Sequence, residues 1–93
     1  MDREEARSLI VAELARYRSH RYDELQRLLR VQDTYRVTGL SGKEYQVEIQ
    51  AVWDGPRGGN LRVMASIDDG GIRAFFPLTE DFIVAPSGAF VGE

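Results

Sequence analysis

A regular alternation of apolar and polar side chains over residues 44–54, EYQVEIQAVWD, is the feature that most constrains the fold of this chain. The apolar members of the alternating row are Tyr45, Val47, Ile49, Ala51 and Trp53. Successive side chains of a strand point to opposite faces, so a period of two predicts a strand with one buried face and one face in water. We expect this segment to be a central β-strand around which the rest of the chain is arranged.

Turn-forming residues separate this strand from three others, which we predict at residues 34–38, 61–68 and 72–76. The turn between the last two is assigned to Asp69-Gly70, because a type I′ turn needs positive φ at both central positions. The turn positions predict three cross-strand pairs: Tyr35 with Val47, Trp53 with Leu61, and Ile67 with Ile72. All three turns place apolar residues on the same face, which favours an antiparallel meander.

Helical spacing precedes the strands. Apolar residues three and four apart predict an amphipathic helix from Asp2 to about Tyr17, and a shorter helix from about Tyr22 to Leu29. We place a break at residues 19–21. A single bent helix is the alternative, because neither Gly nor Pro marks the junction.

The C-terminal residues predict two small elements. A helical turn capped by Thr79 is expected after Pro77, and a short hairpin is expected around the turn at 85–88. The whole chain, residues 1–93, is therefore expected to form a single α+β domain. In it, two N-terminal helices pack on one face of a four-stranded antiparallel meander, with a short C-terminal hairpin. This order of elements is similar to that of cystatin-like α+β rolls, a likeness of layout that implies no activity.

The composition restricts the functional classes. The 93 residues include no cysteine, which excludes disulfides, thiol catalysis and cysteine-rich zinc sites. A net charge of −3 argues against a nucleic-acid partner, because phosphate-binding proteins concentrate positive charge. The N-terminal segment has no apolar run as long as a membrane span or a signal sequence. We therefore expect a cytoplasmic, soluble protein with no nucleic-acid or membrane partner.

Candidate catalytic and metal-binding residues do not form a convincing set. His20, the only histidine, lies near a predicted helix end, where a cation near the terminal carbonyls is the simpler interpretation. Asp54, Asp68 and Asp69 lack the spacing of a calcium loop. The glycine-rich loop at 55–60 has no GK[ST] ending and precedes a strand instead of a helix. The sequence therefore predicts no catalytic residues, metal site or cofactor, and no enzyme.

A small apolar cluster on the solvent face of the predicted sheet suggests an interaction surface. The predicted register puts Met64 opposite Phe75 and Val52 diagonal to Met64, with Arg62 and Arg73 at the rim. Apolar side chains surrounded by polar groups on a sheet face are typical of an interface. The first functional hypothesis is thus a non-enzymatic protein-interaction module that binds another protein or associates with itself as a homodimer.

Aromatic residues on the inner face suggest an alternative. Tyr35, Tyr45 and Trp53 share the predicted inner face, where they would line a ligand cavity between helix and sheet or simply fill the core. The second hypothesis is a small-ligand-binding domain.

Overall fold

The computed structural model describes residues 1–70 and 77–93. Within them, the chain forms helices α1 Arg3–Arg18 and α2 Tyr22–Leu25, a 3₁₀ turn Gln26–Leu29, and strands β1 Asp33–Thr38, β2 Glu44–Trp53, β3 Leu61–Asp68 and β4 Leu78–Val84. The four strands form one antiparallel sheet in the order β1-β2-β3-β4. The predicted α+β class and the meander are confirmed.

Helix α1 begins and ends where its side chains satisfy free backbone groups. The carboxylate of Asp2 accepts a hydrogen bond from the backbone N–H of Glu5 at 3.1 Å. At the other end, the hydroxyl of Ser19 donates to the carbonyl of Arg16 at 2.7 Å, which supports the helix end without a glycine. The predicted break between two helices is therefore confirmed. No helix in the described part of the chain is long and apolar enough to cross a membrane.

The predicted register of the first three strands is confirmed. Tyr35 pairs with Val47 and Trp53 pairs with Leu61. In β2 the odd-numbered residues from Tyr45 to Ala51 are buried, whereas the even-numbered ones are exposed or half-buried. The alternation that the sequence shows is therefore the alternation of burial.

The predicted pairing of Ile67 with Ile72 is wrong. Ile67 pairs with Leu78, so the strand beside β3 is β4, and the predicted strand at 72–76 lies outside the described residues. The predicted helical turn at Thr79 is part of this strand. Three consecutive polar residues, 79–81, hide the period of two, because Glu80 occupies an inward-facing position opposite Ala65.

The C-terminal residues fold back along the end of β4. Val84 forms a β-bridge with Phe90, and the backbone N–H of Val91 donates to the carbonyl of Ile83 at 2.8 Å. The guanidinium of Arg18 lies over the Phe90 ring, 4.9 Å from its centroid, and forms an ion pair with Glu93. These contacts connect the end of α1 to the last residues of the chain.

One cluster of buried side chains contains residues of both helices and of the inner row of the sheet. Its fully buried members include Ala6, Ile10, Val47, Ile49, Leu61, Val63 and Ile67. Burial of such a cluster is the main source of stability for a chain without disulfides. No buried side-chain nitrogen or oxygen among the described residues lacks a hydrogen-bond partner.

A carboxylate on α1 fastens the β1–β2 connection to the helix. Glu5 accepts hydrogen bonds from the backbone N–H and the hydroxyl of Ser41, at 2.9 and 2.7 Å, and from the hydroxyl of Tyr45 at 2.9 Å. The bonds from Ser41 contribute most to lowering the pKa of Glu5. A side chain at Gly39 would overlap with this carboxylate, so the Glu5 side chain would have to move away to make room for it.

Candidate functional site

The residues that the sequence assigns to an interface have different neighbours in the structure from those predicted. Val52 pairs with Arg62, and Met64 pairs with Gln50 on one side and with Asp81 on the other. The predicted contact between Met64 and Phe75 is therefore wrong as a strand pairing. Phe75 and Arg73 themselves lie outside the described residues.

Arg62 forms ion pairs with two carboxylates of the same chain. Its Nη2 lies 2.9 Å from the Asp54 carboxylate, and its Nη1 binds Asp81. The hydrogen bond to Asp54, followed by the one to Asp81, raises the pKa of the Arg62 guanidinium. The residues paired with Arg62 on the neighbouring strands are Val52 and Ile83. The predicted rim cation therefore already has two carboxylate partners.

A shallow concavity of about 390 Å³ surrounds Met64 on the same outer face. The residues around it include Glu48 and Asp81 together with Ser66 and Thr79. This surface is mixed and acidic, unlike the largely apolar patch that the sequence suggested.

The three aromatic residues of the alternative hypothesis do not share one cavity. Tyr45 and Trp53 lie at opposite ends of β2, roughly 26 Å apart at about 3.3 Å per residue. Tyr45 is buried with its hydroxyl on Glu5, and Tyr35 donates its hydroxyl to Glu13 at 2.8 Å. Burial is the largest cause that raises the pKa of both tyrosines, for Tyr45 to about 12. The structure therefore does not bring the three aromatic residues together, and Trp53 lines a groove of its own.

The Trp53 groove is an open concavity of about 760 Å³ between the 3₁₀ turn and the end of β2. Its apolar lining consists of Leu29, Val31, Ala51, Val52 and Trp53. Its polar lining consists of Gln26, Arg27, Arg30 and Arg57. Val31 and Val52 are 67% and 43% exposed and Trp53 is half-buried, so water contacts apolar surface in the groove.

Hydrogen bonds hold both walls of the Trp53 groove. On one side, Arg27 forms two hydrogen bonds to the Asp33 carboxylate, at 2.8 and 2.9 Å, which attach the 3₁₀ turn to β1. On the other side, the hydroxyl of Tyr22 donates to the carbonyl of Gly59 at 2.7 Å, which attaches α2 to the loop that carries Arg57. Both walls are therefore held by hydrogen bonds within the chain.

The charge of the Trp53 groove is positive. Its lining contains three arginines and no carboxylate. Arg27 is neutralised by Asp33, but the guanidinium groups of Arg30 and Arg57 have no hydrogen-bond acceptor or ion-pair partner among residues 1–70 and 77–93. Sequence reasoning missed this site, because Arg30, Val31 and Arg57 lie in connecting segments without periodicity. The glycine-rich loop at 55–60 is the one signal near this site in the sequence, and its composition is explained by a hairpin turn alone.

The other chemical candidates have structural roles. The Nδ1 atom of His20 lies 3.0 Å from the Arg16 carbonyl, and its ring stacks on Tyr17, as expected of a residue at a helix end. Asp54 binds Arg62, and Asp68 accepts a hydrogen bond from the backbone N–H of Gly70 at 2.8 Å. The described residues contain no group of three side chains placed to hold a metal ion.

Comparison with known proteins adds no relative to these observations. No family model matches the chain, and neither the curated proteins nor the solved structures include a significant match.

Proposed function

We propose that this protein is a non-enzymatic, cytoplasmic protein-interaction module that binds a segment of a partner in the Trp53 groove. The observation that supports this proposal is the exposed apolar lining of a preformed concave surface. Single exposed apolar residues are ordinary, but Val31, Val52 and Trp53 line one groove, and grouped apolar side chains with a polar rim are typical of interaction sites.

The proposed scaffold suits a rigid docking site. In it, the two helices cover one face of the meander, and the C-terminal residues form a short hairpin that protects the end of β4. The shared buried cluster and the bridge between Val84 and Phe90 support this arrangement. A groove on such a scaffold needs little rearrangement to bind, which lowers the entropy cost of association.

The experiment is a selection of random dodecapeptides displayed on phage against the immobilised protein. Selected peptides are synthesised, and their Kd values are measured for the wild type, Val52→Glu and Met64→Glu. Both variants place one carboxylate on the same sheet face, so Met64→Glu is the matched control. We expect Val52→Glu to weaken binding at least about tenfold, or about 1.4 kcal/mol, and Met64→Glu to change it less than about twofold.

Circular dichroism spectra of both variants show whether the fold is intact. A selection that yields no peptide, or peptides more sensitive to Met64→Glu than to Val52→Glu, would contradict binding in the Trp53 groove.

Self-association through the outer face is a second form of the same function. Homodimerisation there would bury Met64, so Met64→Glu should lower the mass measured by sedimentation equilibrium while the circular dichroism spectrum stays the same. A wild type that is monomeric at high concentration would contradict this form. It would leave the Trp53 groove unaffected.

Small-ligand binding is the alternative function. The groove volume of about 760 Å³ lies within the usual range for small-molecule sites, about 300–1,000 Å³. A compound library read by Trp53 fluorescence and by thermal shift tests this alternative, because a ligand that binds the native state raises the unfolding temperature. We expect a true ligand to change both signals, and a library without such a compound would count against it.

A further inference from the structure

We infer that the segment bound in the Trp53 groove is an acidic peptide that inserts one large apolar side chain beside Trp53. This inference rests on the proposed function and adds the chemical class of the partner. It follows from the combination of charge and apolar surface within one groove.

The distribution of ion pairs identifies the groove as a site for carboxylates. Most described arginines lie within 4.0 Å of a carboxylate of the chain. Among the described residues, Arg3, Arg30 and Arg57 lack such a partner, and two of these three line the Trp53 groove. The chain as a whole carries a net charge of −3, so this local excess of positive charge opposes the overall balance.

The chemistry of arginine favours a carboxylate ligand. A guanidinium presents its N–H groups as a planar fork that matches the two oxygens of a carboxylate. Arg30 comes from the segment after the 3₁₀ turn and Arg57 from the 55–60 loop, and both line the groove, so a bound peptide can present acidic side chains to both guanidinium groups.

The apolar floor requires an anchor between these acids. Val31 and Val52 expose apolar surface beside the indole of Trp53. Removing this surface from water stabilises a complex when the ligand covers it with apolar atoms. A buried aromatic or large aliphatic side chain is the usual anchor in such a pocket.

A single-stranded nucleic acid is also anionic, but the lining suits it less well. Binding of such strands uses several aromatic side chains in series, whereas Trp53 is the one aromatic residue in this lining. The negative net charge of the protein also repels a polyanion.

The test uses three fluorescein-labelled decapeptides in fluorescence anisotropy. The first contains Asp and Glu around a central Phe-Leu pair; the second replaces Phe-Leu by Ala-Ala; the third replaces the acids by Asn and Gln. We expect the first to bind at least about tenfold more tightly than either of the others. Its affinity should fall as salt is raised from about 50 to 300 mM, because exposed charge interactions are screened.

The variants separate a specific site from general attraction. The double variant Arg30→Gln, Arg57→Gln should weaken binding of the first peptide at least about tenfold. Arg3→Gln removes the third unpaired arginine, outside the groove, and should change binding less than about twofold. These side chains make no ion pair or hydrogen bond within the described chain, so we expect the variants to unfold at the same temperature as the wild type. A matching unfolding temperature excludes a folding defect as the cause of weaker binding. An equal effect of Arg3→Gln would overturn the inference.

The outcomes also distinguish this inference from the proposed function. If the neutral peptide binds as tightly as the acidic one and Val52→Glu abolishes both, the groove is a docking site but the acidic class is wrong. If no peptide depends on Val52, both proposals are wrong. A twelve-residue oligo-dT that binds more tightly than the acidic peptide would also overturn the peptide assignment.

Discussion

Replacement of Asp33 by Asn tests whether the ion pair beside the Trp53 groove contributes to stability. The Asp33 carboxylate accepts two hydrogen bonds from Arg27 and a third, at 2.6 Å, from the hydroxyl of Tyr17. These bonds, above all those from Arg27, lower the pKa of Asp33 from 3.8 to about 2. Asn has nearly the same shape and no charge, so Asp33→Asn resembles the protonated side chain.

The difference between the folded and unfolded pKa of Asp33 sets the size of its contribution to the free energy of unfolding and how that contribution changes with pH. The fall from 3.8 to about 2 corresponds to roughly 2.4 kcal/mol at about 1.36 kcal/mol per pKa unit. Because the Asp33 side chain is 27% exposed, solvent screening reduces this to about 1–2 kcal/mol. The pKa is lower in the folded state, so the contribution is present above the unfolded value of 3.8 and is lost as the pH falls toward 2. Roughly half of the contribution of Asp33 to the free energy of unfolding should be lost at pH 3.

Urea unfolding curves followed by circular dichroism measure the free energy of unfolding at pH 7, 5, 4 and 3. We expect Asp33→Asn to be less stable than the wild type by about 1–2 kcal/mol at pH 7, and the difference to shrink by about half at pH 3. Glu44→Gln is the control, because its pair with Arg36 spans 3.7 Å between exposed side chains. It should cost at most about 0.5 kcal/mol. A difference for Asp33→Asn that does not change with pH, or that equals the control, would refute the reasoning.

Two further predictions concern the core. Tyr45→Phe should lower the free energy of unfolding by about 1 kcal/mol, because it removes a hydrogen bond that a buried hydroxyl donates to Glu5. In the wild type, the absorbance change of Tyr45 on ionisation should appear only near its pKa of about 12, and its contribution to stability should be lost as the pH rises from 10 toward that value. Phe82→Ala should cost about 3–5 kcal/mol in urea unfolding, because the side chain is only 2% exposed at the middle of β4. A cost below about 1 kcal/mol would contradict the burial of Phe82 in the core.

Local patterns were sufficient where one physical cause dominates. The period of two in β2 and the turn positions on either side of it predicted the register of β1, β2 and β3, because a shift of one residue would expose a whole apolar row. The break at Ser19 was also predicted, since the apolar spacing of α1 ends there.

The fourth strand shows the limit of such patterns. The segment 72–76 is more apolar than β4, and an Asp-Gly pair next to it suggested a tight turn. The strand beside β3 is nevertheless Leu78–Val84, which has Glu80 in its inward row. The Glu80 side chain keeps 35% of its surface exposed, and Arg7 of α1 lies 3.9 Å away, a contact between residues 73 positions apart that no local window contains. The prediction had Phe75 opposite Met64, whereas in the structure Met64 pairs with Asp81.

The sequence by itself determined the α+β class, the inner row of the sheet and the exposure of Val52, because strand geometry assigns each side chain to a face. Only the tertiary structure decided what Val52 contacts. The Trp53 groove combines the end of a strand, a 3₁₀ turn and a loop, and its walls are fixed by bonds from Arg27 to Asp33 and from Tyr22 to Gly59. Residues that form such a site share no period in the sequence, since they come together only when the chain folds.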